Sequence, residues 1–167
     1  AVCEVDETFT LSASSDVVKD DATGTGTIID DGSATDGDDT GTDIAADRPT
    51  LSVNDVDVEE GSSAEFTVTI TGDREGTMVV NLVGSIEGGD TAEAGDITTP
   101  LVVTDQDDNA LTIDGSGNVT VGSSVTSLKV SVPTVTDAVY EGDETFTLTA
   151  SSDVVKDDAT GTGTIID

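Results

Sequence analysis

Apolar residues recur at every second position in several short stretches of the chain. In "SAEFTVTIT", residues 63–71, Phe66, Val68 and Ile70 fall on one face and Glu65, Thr67 and Thr69 on the other, the period of two that a half-buried strand requires. "ETFTLTA" places Phe146, Leu148 and Ala150 in the same way. Comparable runs predict further strands at residues 51–56, 77–83, 101–104, 110–113, 119–121, 125–132 and 160–166, and no stretch carries the period of a helix. Seven to nine short strands, parted by Gly, Asp, Asn and Ser and without βαβ alternation, predict an all-β fold: an antiparallel immunoglobulin-like sandwich. The Cys and Trp pair of antibody domains is missing, which excludes only that subfamily.

The pattern repeats. "AVCEVDETFTLSASSDVVKDDATGTGTIID" from Ala1 matches the segment from Ala138 at 27 of 30 positions, the exceptions being Cys3 for Tyr140, Val5 for Gly142 and Ser12 for Thr149. A period of 137 residues makes the chain one complete module preceded by the last strands of its neighbour, as in a tandem array. The expected division is residues 1–32 as closing strands of a preceding repeat, 33–47 as a linker and 48–167 as a complete sandwich. The linker reads "SATDGDDTGTDIAAD", with almost nothing to bury. Its carboxylates repel and extend it, and Asp36, Asp38, Asp39 and Asp43 are also placed to gather a cation.

Charge narrows the function. Thirty-six Asp and Glu face five Lys and Arg, a formal charge of −31, which disfavours nucleic acid and anionic lipid and favours cations as partners. Only four aromatic side chains are present, Phe9, Phe66, Tyr140 and Phe146. So acidic a composition is shared with disordered chains, but the alternating Val, Ile, Leu and Thr runs argue for a folded one. Cys3 is the single cysteine, so no disulfide within the chain supports it and it has no basic neighbour to activate it. No run approaches the roughly 18 apolar residues of a membrane-spanning helix. There is no histidine and no nucleophile beside a recognisable base, and a glycoside hydrolase usually needs an aromatic-lined cleft. The sequence therefore predicts a protein that is not an enzyme.

The acidic residues are not spread evenly. "TDAVYEGDETFTL" crowds Asp137, Glu141, Asp143 and Glu144 before a strand, and "TIIDDG" sets Asp30 and Asp31 after one. Calcium takes six to eight oxygens from flexible loops that mix carboxylates with carbonyls. If the strands beginning at "DETF" and ending in "IID" are antiparallel neighbours, their acidic ends meet at one pole. A second acidic run, "TDQDDN", places Asp105 and Asp107 at a predicted turn of an extra hairpin; it lacks the glycine of an EF-hand loop and reads more simply as a solvated turn. The "TGTGT" runs at residues 23–27 and 160–164 are too short for an ice-binding platform, and threonine suits the solvent face of a strand.

"VEEG", "GDTAEAGD", "AVYEGDETFTL" and "GTGTIID" together resemble the Calx-β domain, found in the regulatory region of sodium/calcium exchangers and, as tandem copies, in large bacterial surface proteins such as RTX-type adhesins. The resemblance covers residues 48–167. It implies calcium ligands at Glu60, Asp96, Asp137, Glu141 and Glu144, with the Val139 carbonyl in reach and Asp167 as the first carboxylate of the closing cluster; Asp30 and Asp31 take that place in the first copy. It also implies a calcium-stabilised extender module of a secreted, cell-surface adhesin, held by neighbouring repeats of the same chain and projecting a distal binding domain. A calcium-sensing regulatory module and a direct glycan- or ice-binding module are the alternatives, and near-identity between copies suits a spacer better than either.

Overall fold

A computed structural model describes residues 7–14, 22–28, 48–72, 74, 76–86, 88–138 and 140–167. The chain divides into two compact units, Ala1–Arg48 and Pro49–Asp167. The described part of the first is a single antiparallel hairpin of β1 (Glu7–Ala13) and β2 (Ala22–Ile28). The linker expected at residues 33–47 lies outside the described residues, as do Cys3, Asp30, Asp31, Asp36, Asp38, Asp39, Asp43 and Val139.

The second unit is a sandwich of two five-stranded sheets. One contains β3 (Thr50–Val53), β5 (Ser63–Thr71), β10 (Ser127–Pro133), β7 (Val102–Asp105) and β8 (Ala110–Leu111), in that order. The other runs β4 (Val56–Glu59), β12 (Ala159–Ile166), β11 (Glu144–Ser151), β6 (Met78–Ser85) and β9 (Asn118–Val121). All pairings are antiparallel except β4 with β12, which is parallel.

Alternation drives this assembly. Along β5 every second residue is buried, and Phe66 and Val68 are fully so. β11 turns Phe146, Leu148 and Ala150 inward to meet them from the facing sheet. The Phe66 and Phe146 rings meet edge to face with centroids 5.7 Å apart, a favoured quadrupolar geometry for an aromatic pair. Each fully buried Val, Leu or Phe contributes about 1.5–3 kcal/mol, and Leu82, Val80, Val119, Leu128, Val130 and Val132 complete the centre of the core.

The run at residues 51–56, expected as one strand, is two. The chain leaves the first sheet at Val53 and joins the second at Val56. Two side chains hold this crossing in place. Asn54 Oδ1 accepts the Thr67 N–H of β5 at 2.6 Å, and Asp55 Oδ1 accepts the Thr162 N–H of β12 at 2.7 Å. Each thus supplies the ladder bond that the bend removes from its sheet. The crossing backbone passes so close to β12 that a Cβ at Gly161 would overlap the Asn54 carbonyl, and one at Gly163 would overlap the Phe146 ring. In "TGTGT" of β12 the glycines face inward while Thr160 and Thr162 stay exposed. The threonines line the solvent face, as expected, and close packing accounts for the glycines.

Candidate metal centre

Local pairing assembles half of the acidic pole. β11 and β12 are antiparallel in the register Glu144↔Ile165 through Ala150↔Ala159. Glu144 therefore opens β11 beside the end of β12, and Asp167 follows it. The Glu141 N–H donates to Asp167 Oδ2 at 2.8 Å, tying the loop before β11 to the tail after β12. The parallel partner β4 ends at the same pole, where the Glu60 N–H donates to the Ile166 carbonyl at 3.0 Å. Glu60 Oε1 in turn accepts the Asp137 N–H at 2.9 Å.

The remaining carboxylate arrives from a distance in sequence. The segment between β6 and β7 crosses this pole: the Thr91 and Ala92 N–H groups donate to the Thr145 carbonyl, and Ile97 bridges to Thr134. The Val135 N–H donates to the Asp96 carbonyl at 2.9 Å, and Asp96 Oδ2 accepts the Glu93 N–H. Asp96 is thereby held with its carboxylate beside the start of β11. Oxygens of Asp96, Glu141 and Glu144 all lie within 4.8 Å of one another. Glu60 and Asp167 line the same recess, floored by Ile165 and Val135.

Among the described residues, the charges that act on Glu141 and Glu144 are all acidic, and the ionisation shows it. Partial burial pushes the Glu144 carboxyl up to about 6, with Glu141, Asp96 and Glu93 adding repulsion and Asp96 a hydrogen bond. Glu141 is raised too, first by desolvation and then by Asp137, Glu93, Asp96 and Glu60. Without a cation, protonation of Glu144, which is hydrogen-bonded to Asp96, relieves this repulsion. Hard carboxylate oxygens with backbone carbonyls nearby form the donor set that calcium prefers, and among the described residues no thiol or imidazole lines the recess.

The structure thus brings together Asp96, Glu141 and Glu144, with Glu60 and Asp167 at the rim. Asp137 is present through its backbone bond to Glu60 and its charge, while Asp143 is exposed in the loop before β11. Glu93, passed over in reading "GDTAEAGD", faces Glu141 and Glu144 as well. The signal for it was its spacing of three from Asp96 in a segment that turns back on itself.

Asp105 and Asp107 lie elsewhere. Asp105 pairs with Leu128 near the start of β10, at the end opposite the Pro133 pole. Asp105 is buried, and its Oδ1 accepts the Asp107 and Asn109 N–H groups, each at 2.9 Å, while Asn109 Nδ2 reaches both of its oxygens. These bonds, the Asn109 side chain's foremost, hold the Asp105 carboxyl below its ordinary value. Asp114 closes the turn before β9 in the same way, accepting from Ser116 and from Asn118. Both are Asx-type turn closures with their oxygens engaged.

No family model and no curated protein matches the chain. Among solved structures it is similar to the apo form of the Calx CBD1 domain, with a TM-score of 0.51 and 17% identity over 72% of this chain and 97% of that one. Looser likenesses include a family 123 glycoside hydrolase from Clostridium perfringens, TM-score 0.49 at 9% identity over 71% of this chain and 27% of that one. A collagen-binding domain from a Staphylococcus aureus adhesin has a TM-score of 0.37 at 12% identity over 70% and 97%. The second unit is therefore a Calx-β-like β-sandwich in fold.

Proposed function

We propose that this chain is a calcium-stabilised structural extender from a repetitive, secreted cell-surface adhesin, in which each sandwich module is locked by calcium at its acidic pole and spaces a distal binding domain away from the cell. The observation that carries the reading is the convergence of Asp96, Glu141 and Glu144 within 4.8 Å, where the charges acting on Glu141 and Glu144 among the described residues are all acidic. Glu60, Asp137 and Asp167 add donors at the rim, and the Val139 carbonyl completes the set that the Calx-β resemblance implies. Asp30 and Asp31 serve the same place in the preceding copy, and Asp36, Asp38 and Asp39 lead from it into the next module.

The mechanism is thermodynamic. In the absence of metal the pole stores repulsion; an ion that binds only the folded form stabilises it by RT ln(1 + [L]/Kd), about 1.4 kcal/mol at ten times Kd. Extracellular modules bind calcium at roughly 10⁻⁴ to 10⁻³ M, so the chain is soft at cytosolic calcium and firm outside the cell. The 27-of-30 identity between the two hairpins suits a spacer, which needs sameness, over a sensor or a ligand-specific site.

Thermal unfolding of the full chain in EDTA and across a calcium titration to millimolar levels tests this. The midpoint rises with calcium, and the rise disappears in Asp96→Asn and Glu141→Gln. A midpoint indifferent to calcium would refute the metal centre and leave only an acidic sandwich.

A further inference from the structure

β6 has a neighbouring strand on both sides for only part of its length. β9 pairs with it from Met78 to Asn81, whereas β11 pairs with it from Asn81 to Ser85 and ends at Ser151, opposite Asn81. Beyond that point the chain turns away into the loop 152–158, and β12 begins at Ala159. Among the described residues, no strand stands on the β11 side of residues 78–80.

Backbone groups along a strand point alternately to its two sides. The Leu82 N–H donates to the Gly117 carbonyl at 2.8 Å, on the β9 side, so Val80 points there too, while Asn81 and Val79 point the other way. Asn81 meets Ser151. Val79 turns its N–H and C=O to the side that β11 has left. That side is a recess of about 520 Å³, lined by Val79 and Asn81 and, from the loop, by Ser152, Asp153, Val154 and Asp158. Its volume is within the roughly 300–1,000 Å³ of ligand sites. Val79 is 49% and Val154 46% exposed, and Lys156, the loop's single base, lies outside the lining.

Other openings in the second unit are closed. At the crossing from β3 to β4, Asn54 and Asp55 supply the missing ladder bonds. The edge strand β4 carries the exposed Asp57 and Glu59, charges that discourage pairing, and Ile113 bridges to β9 at Val119. At Val79 the ladder is left open, between an exposed valine and two aspartates.

We propose that the Val79 backbone and the recess beside it form a docking site for an extended, lysine- or arginine-bearing peptide of another protein, which adds two or three residues to the second sheet where β11 ends. Main-chain bonds to Val79 attach the peptide, Val79 and Val154 cover an apolar side chain, and Asp153 and Asp158 attract its cationic ones. The same aspartates repel acidic segments, including further copies of this chain with its formal charge of −31. Ser151 and Glu144 are opposite ends of β11, so the site is separate from the acidic pole and does not depend on calcium there.

The test is residue-resolved NMR of the full chain at fixed millimolar calcium, titrated with the peptide acetyl-Thr-Lys-Val-Lys-Thr-amide. In the free chain the Val79 amide should exchange with solvent at least about tenfold faster than the Val80 and Asn81 amides. The peptide should shift the Val79 and Val154 amides and slow exchange at Val79, leaving the Glu141 and Glu144 amides unmoved. Methylating the peptide nitrogens of one alternate set of residues should abolish binding and methylating the other set should spare it, because only one edge of an added strand faces Val79. Asp153→Asn with Asp158→Asn should weaken binding about fivefold, and a peptide with Glu in place of Lys should not bind. A Val79 amide as protected in the free chain as that of Val80 would overturn the proposal, since the ladder would already be closed. So would the absence of any shift at Val79, binding that survives both methylation patterns, or shifts centred on the acidic pole, the last two being marks of charge attraction alone.

Discussion

The β1–β2 and β11–β12 hairpins have almost the same sequence and the same pairing but opposite fates for their apolar side chains. Phe146 is 0% exposed and Phe9 is 53%. Strand alternation, the outward threonines and the inward glycines give the register in both settings, because cross-strand pairing is a local matter once two strands are joined by a turn. Burial is not local. It depends on β4, β6 and the facing sheet, which the second unit has and the described part of the first lacks. An amphipathic hairpin specifies a face; whether that face becomes a core is decided by what else is folded nearby.

The largest test of this contrast is truncation of the two equivalent rings. Phe146→Ala removes the partner of Phe66 and leaves a cavity, and urea unfolding should show a loss of about 3–5 kcal/mol. Phe9→Ala, at an exposed site, should stay within about 0.5 kcal/mol. Equal losses would mean that β1–β2 is packed in solution as β11–β12 is.

The second test sets the acidic ends apart. Glu7 is the counterpart of Glu144 in the repeat, and among the described residues the acidic group is Asp96, Glu141 and Glu144. A stabilisation of about 1.4 kcal/mol at ten times Kd corresponds to a midpoint rise of about 5 °C for a unit of this size. Glu144→Gln should abolish that rise in a calcium titration, and Glu7→Gln should leave it intact.

Acid supplies a third, smaller test. The folded Glu144 carboxyl is raised to about 6 from an ordinary 4.5, so between these values the folded state holds more protons than the unfolded one, and stability falls as pH rises through the window. In EDTA the thermal midpoint should be higher at pH 5 than at pH 7.5. Millimolar calcium, which needs the carboxylates ionised, should shrink or reverse the difference. Asp105 and Asp114, whose folded values are lowered, contribute in the opposite sense and only below about pH 4.

The smallest effect is expected where acidic residues close turns. Asp105→Ala frees the Asn109 and Asp107 N–H groups and should lower the midpoint modestly while leaving the calcium response unchanged. A lost response would extend the metal centre to the other end of the sandwich.

Much of this molecule is legible in its amino-acid order. The period of two marks the inward faces of β5 and β11, and the 137-residue repeat marks the hairpin. Crowding at residues 137–144 pointed to the acidic pole, because carboxylates gathered beside a strand end stay close whatever the rest of the chain does. The break at Asn54 and Asp55 shows in the sequence only as a shift of phase, with apolar positions at 51 and 53 and then at 56 and 58, and the side-chain bonds to Thr67 and Thr162 show that the shift is a change of sheet.

Asp105 and Asp96 show the same divide from the side of chemistry. Both are aspartates in acidic, glycine- or asparagine-bearing loops, and composition ranks them alike. Their roles part because Asp105 finds its hydrogen-bond donors within four residues, while Asp96 is carried to Glu141 and Glu144 by backbone bonds to Thr145, Thr134 and Val135 far along the chain. Sequence alone determined which segments pair and which faces are apolar, since both follow from periodicity and nearest neighbours. Only the tertiary structure decided which carboxylates meet and which copy of the hairpin is buried, because both depend on surfaces brought together across the whole sandwich.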